Sequence, residues 1–260
     1  MSSAPDQTSQ AAAVHASSVE EVETCPHCAK PLPLCVCEQV KPVDSRLSLL
    51  VLMHPQEQDK ALATARLTAM HFSDAVVKIG LSWPSLSRIL GREVDPQRWG
   101  ILYLGSVNPA HLVGDPDQEV FVVDRKGNAE EHQRGILRGL EGIILLDGTW
   151  SQAKTLWWRN AWMLKCRRLV LAPKRASRYG KLRREPRREG LSTIEAAALV
   201  MSRLQGRPEI ETSLMASFDA MLSAYRAALP SMPELAAKPR RKGGRRPASK
   251  GKTGAKDAKS

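Results

Sequence analysis

Six short apolar runs set the architecture: RLSLLVLM (46–53), AVVKI (75–79), GILYL (100–104), EVFVV (119–123), GIILL (142–146) and RRLVL (167–171). Each is short enough for a buried strand, and most are flanked by turn residues or by longer stretches of helical periodicity. Helices are expected at 57–70, 84–91, 129–140 and 151–163, with two more at 192–205 and 211–228. In the last, Phe218, Met221, Leu222 and Tyr225 repeat at i, i+3, i+4 and i+7, the stripe of a packed helix. Strands alternating with helices predict an α/β fold, a mostly parallel sheet with helices on both faces. Ligands of such sheets sit at the carboxyl ends of the strands, so the turns after the strands are the places to look for chemistry.

Charge is distributed unevenly. The chain carries a net +12, yet residues 238–260 hold ten Lys or Arg and one acid, Asp257, so nine of those twelve charges lie in the tail. The tail has almost no apolar residues and cannot offset its own ordering entropy, which predicts a disordered basic segment over 231–260. It suits a polyanion, or it simply solubilises the chain. A second basic block, Lys165 to Gly190, has eleven Lys or Arg against Glu185 and Glu189. A nucleic-acid contact explains it better than a solvated loop. The Ser/Ala/Gln-rich residues 1–22 read as a disordered segment without the basic and apolar regions of a secretory signal. No apolar run is long enough to span a membrane. A cytoplasmic protein is expected, with no membrane contact and no obligate protein partner.

Cys25, Cys28, Cys35 and Cys37 form C-x2-C-x6-C-x-C within a Pro-rich segment, 23–44. In a reducing compartment, four thiolates at this spacing point to structural Zn2+, with disulfides as the alternative. Three strand ends carry unusual residues. The first has His54, Glu57 and Lys60 after the run at 46–53, with Pro55 holding His54 extended; His54 is equally readable as a structural residue. The second has Leu104, Gly105 and Ser106, where a glycine permits close backbone approach. The third is LLDGTWSQAKT, with Asp147, Gly148, Thr149 and Trp150. It departs from the phosphate-loop pattern because Ala153 stands where a second glycine is required. A turn with helix capping is the plain alternative for Asp147-Gly148. Of Trp157, Trp158 and Trp162, at least two are expected in the core. Ser192 and Glu195 satisfy the S-x-x-E capping box.

Taken together, these elements resemble the DTW-domain family, named for an Asp-x-Thr-Trp tetrad that Asp147-Gly148-Thr149-Trp150 matches. The cysteine segment looks like that family's zinc-binding segment. HPQEQDKALAT resembles its H-P-x-E-x-x-[KR]-x-x-N-T stretch, and SRYGKLRREP followed by LSTIEA resembles two later elements. One departure is Ala63, where the family has Asn before Thr64.

The resemblance implies a catalytic domain over 45–230, distantly SPOUT-like with a C-terminal knot. It implies transfer of the 3-amino-3-carboxypropyl group of S-adenosyl-L-methionine, the co-substrate, to N3 of a tRNA uridine. Asp147, Thr149 and Trp150 would then be catalytic. Leu104, Gly105, Ser106, Leu146, Gly148, Leu191, Ser192, Thr193 and Glu195 would bind the co-substrate. His54, Glu57, Lys60, Arg178, Tyr179, Arg183 and Arg184 would face the tRNA. A SPOUT-like RNA methyltransferase and a non-catalytic zinc-containing RNA-binding protein are the competing readings.

Overall fold

The computed structural model describes residues 23–102, 118–180, 182 and 190–236. The expected disordered residues 1–22, most of the tail, and Leu104, Gly105, Ser106, Arg183 and Arg184 lie outside the described residues.

Six strands form one sheet: β1 (Ser48–Met53), β2 (Ala75–Ile79), β3 (Trp99–Leu102), β4 (Val120–Val123), β5 (Gly142–Asp147) and β6 (Arg167–Leu171). Their spatial order is β2-β1-β5-β3-β6-β4. Every pairing is parallel except β4 against β6, so an antiparallel strand closes one edge. The helices are α1 (Ala65–Ala69), α2 (Leu86–Leu90), α3 (Gln133–Arg138), α4 (Trp150–Arg159), α5 (Thr193–Gln205) and α6 (Pro208–Ala228).

β1 is buried along its whole length because successive side chains supply two cores. Leu49, Val51 and Met53 pack with Ile143, Leu145, α5 and α6 on one face. Leu50 and Leu52 pack with Ile144, Trp99, Ile101, Leu86 and Trp162 on the other. A continuous apolar run, rather than an alternating one, is what two buried faces require. Trp99 lies directly across from Gly142 in the β3–β5 register. A Cβ at position 142 would stand 2.4 Å from the Trp99 ring, so this glycine is the space the buried indole occupies.

Helix ends follow their local signals. Ser192 and Glu195 close a reciprocal capping box at the start of α5, and Gly206, at φ 63°, ends it. Pro208 opens α6 at a position where its missing N–H costs nothing. The helix expected over 57–70 is shorter than its pattern suggests. Pro55–Glu57 is a 3-10 turn, and the α-helix begins only at Ala65. The carbonyls of Ala61 and Ala63, which a continuous helix would use internally, accept hydrogen bonds from Lys30 Nζ instead, both at 2.6 Å. The folded part also runs past the expected boundary at 230. Met232 is buried in the main core, and Leu235 accepts a 2.8 Å hydrogen bond from the Tyr225 hydroxyl.

His71 is fully buried between α1 and β2, with Nδ1 3.3 Å from the Ser213 hydroxyl of α6. Burial pulls its imidazole from the ordinary 6.5 down to about 4. The unfolded chain therefore takes up a proton below about 6.5 that the folded chain refuses. Stability is unaffected by this group at neutral pH and is lost as pH falls from 6.5 toward 4. His71→Gln should remove roughly 3 kcal/mol of that acid-side loss. Denaturant titrations of both proteins at pH 7 and pH 4 measure it, and equal losses would contradict the assignment.

Candidate active site

The register of the two central strands builds the site. Met53 pairs with Asp147, so β1 and β5 end at the same level. The next residue after β1, His54, donates its backbone N–H to the Asp147 carbonyl at 3.0 Å. The His54 ring caps the 3-10 turn, Nδ1 accepting from the Gln56 N–H at 3.2 Å. Burial holds this imidazole below its ordinary pKa, and an accepting Nδ1 leaves the proton of the neutral ring on Nε2.

α5 reaches the same point from above the sheet. Thr193, its first residue, donates its hydroxyl to Asp147 Oδ1. Ile194 donates its N–H to the Thr64 hydroxyl at 3.3 Å. Glu195 is buried, and its carboxylate accepts from the Ser192 N–H and hydroxyl, the Ser177 hydroxyl and the Arg178 N–H, at 2.6 to 2.8 Å. Three of these bonds fall on Oε2 and one on Oε1, so Glu195 ties the loop after β6 to the start of α5.

Gly148 and Thr149 turn the chain from β5 into α4. Thr149 is the N-cap: its hydroxyl accepts from the Gln152 N–H at 3.4 Å, and Gln152 Oε1 accepts from the Thr149 N–H at 2.6 Å. Gln152 Nε2 then donates to Gln56 Oε1 at 3.1 Å, tying this turn to the one after β1. A Cβ at Gly148 would stand 2.9 Å from Gln152 Cβ, within the capping box. Trp150, half-buried, is the first residue of α4. Gly148 and Thr149 thus form a turn and a helix cap. Asp147 is different, being the buried acid on which β1, β5 and α5 converge.

Two residues expected to face RNA are buried in the structure. Tyr179 is 2% exposed, packs edge-on against Phe218 and donates its hydroxyl to the Leu62 carbonyl at 2.6 Å. It is a core residue whose polar tip has an internal acceptor. Glu57 is 1% exposed and ion-paired with half-buried Lys60, so it secures its own turn. Arg178 is exposed and ion-paired with Asp219. With Leu191 and Glu195 it lines a cleft of about 990 Å³ between the β6 loop, α5 and α6. That cleft does not include Asp147, Gly148, Thr149 or Trp150.

Lys30 is the residue that sequence reasoning missed. It is 3% exposed, and its two carbonyl partners belong to the segment that presents Thr64. Burial pulls its ammonium down to about 8, against the opposing charges of Cys28 and Asp147. Nothing in C-P-H-C-A-K marks this lysine as buried.

The cysteines around it can hold a metal ion. All four Sγ atoms lie within 4.8 Å of one another. Cys25 to Cys37 is 3.7 Å and Cys28 to Cys35 is 3.9 Å. These distances are far beyond a disulfide and close to the roughly 3.8 Å edge of a tetrahedron of thiolates 2.3 Å from a zinc ion. A tight turn brings them together, with Ala29 at φ 56° and the Cys25 N–H donating to the Lys30 carbonyl at 2.8 Å. Leu34 and Val36 from the same segment are buried in the main core.

A mainly parallel α/β sheet with a polar corner at its strand ends and a four-thiol metal site on its flank defines the structural class. Comparison with known families makes it specific: the DTW domain family model matches residues 22–226, and the chain belongs to that family. It is 28% identical over 209 residues to a Macaca fascicularis protein named tRNA-uridine aminocarboxypropyltransferase 2, covering 76% of this chain and 62% of that protein. A Mus musculus protein of the same name is 26% identical over 203 residues, with the same coverage. A Drosophila melanogaster protein of that name is 25% identical over 195 residues, covering 74% of this chain and 70% of that protein. The chain thus spans 62% of the length of the first two. No solved structure matches it. Among the described residues, no helix is long and apolar enough to cross a membrane.

If the four thiols hold one zinc ion, the metal orders Lys30 and, through it, the Thr64 segment. Cys28→Ser should lower bound zinc from one per chain and raise amide exchange at residues 61–64 as well as 25–37. Elemental analysis and hydrogen-exchange mass spectrometry read both. Metal-free wild type with full protection at 61–64 would contradict the coupling.

Proposed function

We propose that the chain transfers the 3-amino-3-carboxypropyl group of S-adenosyl-L-methionine to N3 of a tRNA uridine. The observation that carries the reading is Asp147, a buried acid at the shared carboxyl edge of β1 and β5, held by Thr193. Membership of the DTW domain family and the names of the relatives support it.

Uridine N3 carries a proton and is a poor nucleophile until it loses it. Asp147 takes that proton or orients the base. The N3 lone pair forms a bond to the methionine γ-carbon, the bond from that carbon to sulfur breaks, and the sulfonium leaves as neutral methylthioadenosine. Proximity and alignment supply much of the acceleration. Trp150 offers a face for the adenine or the uridine. Gly148, Leu146, Leu191, Ser192 and Thr193 form the co-substrate side of the corner, and the family resemblance adds Leu104, Gly105 and Ser106 to the co-substrate residues and a SPOUT-like knot to the fold. The tetracysteine segment binds structural Zn2+. The protein acts in the cytoplasm on tRNA, with the tail after residue 236 and Arg183 and Arg184 drawing in the phosphate backbone.

Purified protein with tRNA and S-adenosyl-L-methionine should release methylthioadenosine one-for-one with a heavier uridine nucleoside, read by mass spectrometry. S-adenosylhomocysteine in its place would mean methyl transfer and overturn the reading. No turnover and no tRNA-dependent product would favour a binding protein. Asp147→Asn should lower the rate by roughly two to four orders of magnitude while the fold survives. Normal turnover by this variant would remove Asp147 from the chemistry.

A further inference from the structure

α4 has an inner and an outer face. Ala153 and Leu156 are buried, and Trp157 packs partly against the core, with the Arg168 guanidinium 5.6 Å from its ring centre. The outer stripe is Ser151, Lys154, Thr155 and Trp158, at i, i+3, i+4 and i+7. Trp158 is therefore on the solvent side of a capped helix, 80% exposed, the most exposed of the large apolar side chains among the described residues. The fold does not need an indole there, since the inner face already buries the helix.

The charge along α4 and the turn that follows it is of one sign. From Trp150 to Arg168 there are five Lys or Arg and no Asp or Glu. The adjoining segment 75–92 docks onto this helix end: Trp83 N–H donates to Asn160 Oδ1 at 2.8 Å, and Trp162 Nε1 to the Trp83 carbonyl at 3.1 Å. It too contains no acid and carries Lys78, Arg88 and Arg92, the last ion-paired with Asp74 just before the segment. Lys78, Lys154, Arg159 and Lys165 are exposed and make no ion pair among the described residues. The contrast with the α5/α6 cleft is direct, because there Arg178 and Arg203 are already matched by Asp219, Glu119 and Glu211.

An exposed indole on a helix that carries cations and no acid fits a single-stranded nucleic acid. The bases stack on the ring, and the phosphates meet the cations. Location adds a second argument. α4 starts three residues after Asp147, and Trp158 lies about 12 Å along the helix axis from Trp150. That is several base-stacking steps of about 3.4 Å, a distance that suits a nucleotide near the reacting one rather than the reacting one itself.

We propose that the outer face of α4 is a tRNA-docking surface in which Trp158 stacks on an unpaired base flanking the target uridine, with Lys154 and Arg159 on the neighbouring phosphates. The inference rests on tRNA being the substrate. It assigns the capture of flanking nucleotides to a surface separate from the basic block after β6.

The test uses the full chain and unmodified tRNA. Trp158→Ala should weaken tRNA binding about 5- to 150-fold, while thermal midpoint, co-substrate affinity and the rate at saturating tRNA stay at wild type. Trp158→Tyr should restore most of the affinity. Lys154→Ala with Arg159→Ala should reduce the slope of log affinity against log salt by about one to two. Wild-type affinity in Trp158→Ala would overturn the docking surface and leave the substrate reading intact. Failure of the wild-type protein to bind tRNA would overturn both. A change in oligomeric state on Trp158→Ala with unchanged tRNA binding would assign the face to self-association and overturn the proposal.

Discussion

Keeping a carboxyl group out of water at the end of a buried strand requires partners, and this requirement organises the corner around Asp147. The strand is fixed by two cores, one on each face, so its last residue has no freedom to swing into solvent. The Thr193 hydroxyl comes to it from the start of α5, and the Lys30 ammonium lies near enough for the two charges to favour each other. Each of these is held in turn. Thr193 stands on a capping box completed by the loop after β6, and Lys30 stands on the four-cysteine turn. The cysteine segment, the segment leading to Thr64, the strand end and the start of α5 are therefore linked around this corner.

This arrangement explains why the cysteine segment belongs to the site though it holds no residue of the tetrad. Lys30 replaces the internal hydrogen bonds that a helix through 57–70 would make, and so keeps residues 61–64 as an irregular span. That span delivers Thr64 to the N–H of Ile194 and the Leu62 carbonyl to Tyr179. Loosening the cysteines would be felt at the strand end through Lys30 rather than through the metal itself.

The strands were legible because two buried faces leave an unmistakable apolar run, as in SLLVLM and GIILLD. The cysteine spacing and the acid at the end of β5 were legible for a similar reason, since each is an unusual residue type in a constrained place. What escaped the sequence depends on long-range partners. Tyr179 sits among cations and reads as a tRNA-facing residue, but its hydroxyl finds a carbonyl 117 positions away. Glu195 matches both a capping box and a ligand contact in the sequence, and the convergence of Ser177 and Arg178 on its carboxylate is visible only in the fold. Periodicity could not foresee that Lys30 would divert the carbonyls of Ala61 and Ala63. For the tryptophans, a core role holds for Trp162 and partly for Trp157, whereas Trp158 faces water.

The central claim is that Asp147 manages the N3 proton. Single-turnover rates of the wild-type protein and of Asp147→Asn, measured across a pH series with saturating tRNA and S-adenosyl-L-methionine, test it most directly. The account expects a weak pH dependence for the wild type near neutrality. It expects the variant to gain about tenfold per pH unit, because hydroxide must then remove the proton. Two profiles of the same shape, differing only in height or not at all, would contradict it.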